Sequence, residues 1–374
     1  MDKIFATYEL NKILNDVKVD NYNINTISDR FSELYKFLSN KKLTDNEIKI
    51  CILDYPRILT YPVNALKNNY DNLRKLFKSN TKKMIIDNIR LLTKDEEYIK
   101  DKIKYLTTFN IDNIKVKKMC VDYPNLLLLS KNNIEDSLKY LNSYFKDTEL
   151  KENKDLIELF IKNPRIVSYN ENKINDKINW FSEKGYSMTD ALKVLMGAKS
   201  VISLDYNLDG NMDNKYNFLL NTLGYKLEQI IYITTVYPEY YTLNNELIIN
   251  RLNNLCNLGL DKNIVKIVFY KFPQIISLKE DNINSKYELL SKLNMLNIFI
   301  EKPKYLMQSL NLTTIRYNYL INKGIKVDNT CYKKLFLSSK KFKKSYGVTN
   351  EELLNLYKKE GNYNEQRRNK KSIR

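Results

Sequence analysis

The sequence predicts an all-α solenoid, and three observations predict it. A proline-centred unit recurs every 30 to 40 residues, from Asp54-Tyr55-Pro56 to Glu301-Lys302-Pro303. Apolar residues keep fixed distances from that proline, and glycine or asparagine falls where each long apolar run closes. A fixed period of this length is the signature of stacked helical repeats rather than of a globular enzyme.

The mark reads Pro56-Arg57-Ile58-Leu59-Thr60, Pro124-Asn125-Leu126-Leu127, Pro164-Arg165-Ile166-Val167-Ser168, Pro238-Glu239-Tyr240-Tyr241-Thr242, Pro273-Gln274-Ile275-Ile276-Ser277 and Pro303-Lys304-Tyr305-Leu306. An apolar residue stands three positions after each proline. Another stands seventeen positions after it, at Leu73, Leu141, Phe181, Leu255, Leu290 and Leu320. Two further copies have lost the proline, at Asn88-Ile89-Arg90-Leu91 and at Lys199-Ser200-Val201-Ile202-Ser203. With them the spacings are 32, 36, 40, 35, 39, 35 and 30.

The Pro238 copy shows how one unit is built. Ile248, Leu252, Leu255 and Leu258 recur at helical spacing, and the run closes at Gly259, which predicts an amphipathic helix with a left-handed C-cap. Gly185, Gly224 and Gly324 hold the same place in other copies, and Asn294 stands in for glycine. A shorter helix over Asp261–Tyr270 follows and stops at Pro273, because the residue before proline is pushed out of the α region. The five residues after proline are too few for an α-helix and predict a turn or 3₁₀ segment. No unit can bury its apolar face alone, so neighbours must stack.

The 374-residue chain carries 62 Lys and Arg against 44 Asp and Glu, a net charge of +18. That balance points to a polyanionic partner. The bland explanation, coding bias in an AT-rich genome, accounts for part of the lysine excess. Histidine is absent, which removes Ser-His and Cys-His triads and the HExxH zinc site. There is no Gly-rich phosphate loop, and Glu96-Glu97 and Glu351-Glu352 sit on charged helical faces. Cys51, Cys120, Cys256 and Cys331 are isolated within apolar stretches and read as packing, with no close CxxC pair. The expectation is therefore a protein that is no enzyme, with no catalytic residue, no metal, no cofactor and no small-molecule substrate. No run reaches the length of a membrane span. The repeat suggests one array over 25–345, preceded by a cap or half-repeat over 1–24 and followed by a C-terminal helix and basic tail over 346–374.

The proline, the apolar residue three positions on, the Leu at seventeen and the following glycine resemble the repeat of the mitochondrial transcription termination factor (mTERF) family. The resemblance spans about residues 25 to 345, and Leu335-Phe336-Leu337-Ser338-Ser339-Lys340-Lys341-Phe342 is similar to the segment that closes the array in that family. It departs from the pattern at the two copies without proline. The resemblance implies a left-handed superhelix of helix-helix-3₁₀ repeats whose basic groove binds nucleic acid. Family members are not enzymes; they act in organellar gene expression through transcription termination or regulation, RNA processing or ribosome assembly. It thus implies a mitochondrion or plastid, whereas the acid-bearing N-terminus, with no arginine before Arg30, reads as a poor targeting segment and points to the cytoplasm.

Candidate contacts fall in two sets. Thirteen positions after the mark stand Lys177, Arg251, Lys286 and Arg316, joined by Lys102 and Lys215 once small insertions are allowed. On a helical wheel this position lies about 70° from the centre of the apolar stripe, where a long side chain could lay its methylenes along the core and hold its charge in a groove. One cation per repeat would give a ladder suited to a phosphate backbone; a snorkelling lysine on an ordinary helix edge is the alternative. The second set surrounds the mark: Arg57, Arg90, Lys162, Arg165, Lys199, Lys271, Lys302 and Lys304. Arginine engages phosphate or guanine in bidentate fashion, which favours Arg57, Arg165, Arg251 and Arg316. Ion pairing between repeats competes with that reading. The expected function is a monomeric nucleic-acid-binding repeat protein acting in transcription or RNA metabolism, with double-stranded DNA ahead of structured RNA. An RNA or ribosome-assembly factor and a protein-binding scaffold are the alternatives.

Overall fold

The computed structural model describes residues 24–146, 148–198, 200–205 and 211–356. The expected N-terminal cap and the basic tail beyond residue 356 lie outside them. The described residues hold helices and connecting turns and no strand. The chain divides after Ile202 into two compact units, at the second of the two copies without proline.

In the first unit long helices α1 (Ile24–Asn40), α3 (Val63–Phe77), α5 (Glu96–Thr107), α7 (Lys131–Ser143) and α9 (Glu171–Glu183) alternate with short ones. These are α2 (Asp45–Asp54), α4 (Thr81–Asp87), α6 (Asn113–Asp122), α8 (Glu152–Lys162) and α10 (Met188–Gly197). After each of the first four short helices comes a 3₁₀ segment: Pro56–Thr60, Ile89–Thr93, Pro124–Leu127 and Pro164–Ser168. Long helices pack on long, as α1 on α3 and α3 on α5, and short on short, as α2 on α4 and α6 on α8. The 3₁₀ segment at Pro56 packs on that at Ile89. Each repeat is thus one layer of three parallel columns.

The second unit repeats the plan. Its long helices are α11 (Asn211–Asn217, continued as a π-helix over Phe218–Thr222), α13 (Asn245–Asn257), α15 (Glu280–Lys292) and α17 (Leu310–Asn322). The short ones are α12 (Leu227–Val236), α14 (Lys262–Lys271) and α16 (Asn297–Glu301), and 3₁₀ segments begin at Pro238, Pro273 and Pro303. Helix α18 (Ser339–Tyr346) follows.

Local chemistry explains the boundaries. Side chains of Asp95, Asp112, Ser130, Asn170, Ser187 and Ser309 accept from the backbone N–H three residues on, in the first turn of the next helix, the standard relief of orphan donors. Gly185, Gly224, Gly259 and Gly324 carry positive φ, as does Asn294 at 54°, so the expected left-handed caps are present. The residues three and seventeen after each proline are buried throughout: Leu59, Leu127, Val167, Tyr241, Ile276 and Leu306, then Leu73, Leu141, Phe181, Leu255, Leu290 and Leu320.

At the copy without proline near residue 88 the mark moves by one residue. The 3₁₀ segment runs Ile89-Arg90-Leu91-Leu92-Thr93, matching Pro56-Arg57-Ile58-Leu59-Thr60. In place of proline's rigidity the Asn88 side chain accepts from Arg90 N–H at 2.9 Å and so starts the turn. Counting from Ile89 places Lys102 thirteen residues on and buried Leu106 seventeen residues on, with no insertion needed.

Candidate nucleic-acid interface

The position thirteen residues after the mark faces inward. Lys177 is fully buried, Arg316 is 1 % exposed, and Lys102, Lys215 and Lys286 are buried as well. For Lys102, Lys286 and Arg316 the partners follow one rule. Lys102 Nζ donates to Leu129 O at 2.5 Å, and Lys286 Nζ donates to Leu306 O. Arg316 donates to Leu335 O at 2.8 Å and Leu337 O at 2.6 Å. The acceptors are carbonyls at or just beyond the end of the next repeat's 3₁₀ segment or, for Arg316, in the closing segment. Such terminal carbonyls lack a partner within their own helix. Lys215 and Arg251 instead reach the first turn of the next long helix, Lys215 Nζ to Asn245 Oδ1 at 2.5 Å and Arg251 to Glu280 Oε1 at 2.7 Å.

The row extends to two uncharged residues, Asn69 and Ser137, and to a further cation in α1. Asn69 Nδ2 donates to Leu92 O at 2.8 Å, Ser137 Oγ to Val167 O at 3.0 Å, and Arg30 of α1 to Thr60 O at 2.7 Å. What recurs is a hydrogen-bond donor aimed at the following layer. The expected solvent-facing ladder of Lys102, Lys177, Lys215, Lys286 and Arg316 therefore does not form. The wheel angle was right for an edge, but that edge is covered by the neighbouring 3₁₀ turn, and a charge spent on a buried carbonyl is not offered to a groove. Burial pulls the pKa of Lys102, Lys286 and Arg316 down and that of Lys215 down to about 8, since the charged form loses water. Arg251 is half-buried in its pair with Glu280, so the competing reading of an inter-repeat ion pair describes it.

Arg316 also closes the array. Its guanidinium lies 4.2 Å from the ring centroid of buried Phe342 and donates to Asn350 Oδ1 at 2.9 Å, binding the Leu335–Phe342 segment to α17.

The second set is placed differently. Arg57, Arg90 and Arg165 each occupy the residue after the mark and are exposed. Arg90 lies 5.3 Å from the Tyr55 ring centroid, and Arg165 lies 5.4 Å from that of Tyr123. Each tyrosine directly precedes the mark of the repeat before. Asn125 holds the same position between them and accepts from Asn88. A cation over a ring is held in plane while its N–H edge stays free for an anion. Lys162, Lys271, Lys302 and Lys304 are exposed too; Lys162 pairs with Glu158 at 2.7 Å and Lys271 donates to Ile300 O at 3.3 Å. Lys199 lies outside the described residues.

Among the described residues no helix is long and apolar enough to cross a membrane. Cys51 and Cys120 are buried, and burial pushes the Cys120 thiol up to about 12, the behaviour of a packing residue.

Stacked layers of long helix, short helix and 3₁₀ turn, joined by a donor at one recurring position, define an all-helical repeat protein. The mTERF family model matches residues 24–236 and 228–343, and the chain belongs to that family. A comparison with curated proteins gave no match. Membership points to nucleic-acid binding in the regulation of transcription or RNA metabolism.

Proposed function

We propose that the chain binds nucleic acid as a monomer along the exposed arginine row Arg57, Arg90 and Arg165 and regulates transcription, including its termination, or RNA metabolism. Duplex DNA is the favoured ligand over structured RNA, and the repeats of each unit wind in the left-handed sense. The observation that supports this reading is the recurrence of an exposed arginine at one position in three of the first four 3₁₀ turns, two of the three lying over a tyrosine ring at 5.3 and 5.4 Å. Fixed guanidinium groups at a repeating interval suit a phosphate backbone, which repeats as well. Lys302 and Lys304 add exposed charge at the mark in the second unit. Fluorescence anisotropy with duplex DNA and RNA hairpins at several salt concentrations tests the proposal. Binding that weakens as salt rises supports it; no binding at about 50 mM salt sinks it.

A second reading has its own observation. Leu227, Tyr232 and Val236 on α12 and Ile267 on α14 are each 39–45 % exposed, an apolar surface on two packed short helices of the kind that serves protein partners. Pull-down from cells treated with nuclease would separate the two.

A further inference from the structure

Among the buried lysines of the clamp row, Lys215 is set apart by its surroundings. Lys102 and Lys286 spend their ammonium groups on backbone carbonyls, Leu129 O and Leu306 O, and the cavity that Lys286 lines holds only about 10 Å³, no more room than one water takes. Lys215, 3 % exposed, lines a cleft of about 610 Å³ between α11 with its π-helical continuation and the turn that leads into α13. That volume falls in the range of about 300 to 1,000 Å³ typical of small-molecule sites. Its acceptor, Asn245 Oδ1 at 2.5 Å, belongs to a residue that lines the same cleft, so the nitrogen lies at the cleft wall and not behind a layer of backbone.

The described lining residues include no carboxylate. Asp213, two residues away, accepts from Asn217 Nδ2 at 2.7 Å. The amine is therefore buried against a neutral amide, and loss of water disfavours its charged form, with a pKa lowered to about 8. At pH 8 about half of such a group is free amine, against about one part in 250 for an exposed lysine of pKa about 10.4. The free amine, not the ammonium, is the nucleophile.

The lining says what could reach it. Asn211, Asn214, Asn221 and Asn244 stand there with Thr222 and Phe218, a polar and uncharged wall that suits a small neutral carbonyl better than a phosphate or a metal ion. A side chain this buried is beyond the active site of a modifying enzyme, so the reagent must enter unaided. We propose that Lys215 is a site of direct acylation, its amine taking the acyl group of a small thioester that enters the asparagine-lined cleft. The amine lone pair attacks the thioester carbonyl carbon and the N–C bond forms. The C–S bond breaks with its electron pair left on sulfur, and the surplus proton of the nitrogen passes to the departing thiolate or to water. The product keeps one N–H to serve Asn245 Oδ1 and loses its charge. A cationic clamp thereby becomes a neutral one of the kind Asn69 and Ser137 make.

The test incubates the full chain with acetyl-CoA alone at pH 7 to 9 and follows each lysine by peptide mass spectrometry. At pH 8 Lys215 should be acetylated about tenfold faster than exposed Lys262 and Lys333, and its rate should level off above about pH 8 while theirs keeps climbing. Lys286 is the internal control, since burial lowers its pKa too but leaves no room for a reagent; it should stay unmodified. Equal rates at Lys215 and Lys286 would assign the reaction to transient opening of the fold and overturn the role of the cleft. A Lys215 rate no higher than that of Lys262 overturns the site outright. Asn221→Trp, which fills the cleft from an exposed position, should slow Lys215 several-fold and leave Lys262 and Lys333 unchanged, with an unaltered melting temperature as the control for folding. A wild-type Lys215 rate in that variant also overturns the proposal.

Discussion

The two units fill the same structural position with different chemistry. Thirteen residues after the mark the first unit uses Asn69, Lys102, Ser137 and Lys177, and the second uses Arg251, Lys286 and Arg316, with Lys215 as the equivalent in its first long helix. Ser137 and Lys286 do the same job, donating to the carbonyl three residues after the next mark, Val167 O and Leu306 O. Charge is therefore not what the position demands; a donor of the right reach is. At the residue after the mark the contrast reverses. The first unit carries Arg57, Arg90 and Arg165, and the second carries Glu239, Gln274 and Lys304, with Gln274 donating to Val236 O at 3.1 Å. The arginine row belongs to the first unit, whereas cationic clamps occur in both, at Lys102 in the first and at Lys286 and Arg316 in the second.

The largest effect should be common to both units, because both keep the same core register. Leu141→Ala in the first and Leu255→Ala in the second each remove a side chain at most 2 % exposed and should cost about 2 to 5 kcal/mol. Chemical denaturation measures this. A loss in one unit and none in the other would break the claim that they share a register.

Arg316→Ala comes next. It strips the partner from two carbonyls and from Asn350, and each orphaned buried group costs about 1 to 3 kcal/mol. The expected loss is about 3 kcal/mol, with early proteolysis after residue 335. Ser137→Ala, the neutral clamp, should cost about 1 kcal/mol, which sharpens the difference between a clamp that is one bond and a clamp that is a network.

Binding separates the two rows. Arg57→Ala with Arg165→Ala should lower the salt slope by roughly two on duplex DNA, one per lost phosphate contact. Lys286→Met should leave the slope unchanged, since its ammonium is buried against Leu306 O. A slope that falls in K286M and holds in the arginine variant would restore the ladder expected from the sequence.

These contrasts show what the sequence could and could not reveal. The period, the apolar register and the left-handed caps were legible because proline, leucine and glycine act locally, through φ, burial and positive φ. The helix-helix-3₁₀ order followed from them. The clamp was half legible: the position was found, but only its cations were counted, because Asn69 and Ser137 become clamps only when the next layer's carbonyls are in place. For the same reason Lys102 needed a supposed insertion until the Asn88 turn showed the mark to be Ile89. The division after Ile202 left a hint in the degenerate copy there.

The smallest expected effect is a pH dependence, and it also discriminates the units. Lys215 is 3 % exposed, and burial alone lowers its pKa to about 8, against about 10.4 for an unfolded lysine. Between those values the unfolded chain holds more protons than the folded one, so stability rises with pH there. The cost of burying the ammonium is fully present below about pH 8 and is relieved as pH climbs through 8 toward 10. Asn245 Oδ1 is its acceptor and does not titrate, so the slope belongs to the lysine. Tyr225 in the same unit, raised by burial, acts in the opposite sense above its unfolded value of about 10, and the buried thiols of Cys51 and Cys120, pushed up to about 11 and about 12, do so above about 8.5, so the lysine is read as the difference between the wild type and Lys215→Met over about pH 7.5 to 9.5. In melting curves across that window the stability of the wild type relative to Lys215→Met should rise with pH. Ser137→Ala, whose hydroxyl carries no titratable proton in this range, should track the wild type. A K215M profile parallel to the wild type would mean that the ammonium is hydrated in the folded state and that the neutral and cationic clamps are closer in character than their burial indicates.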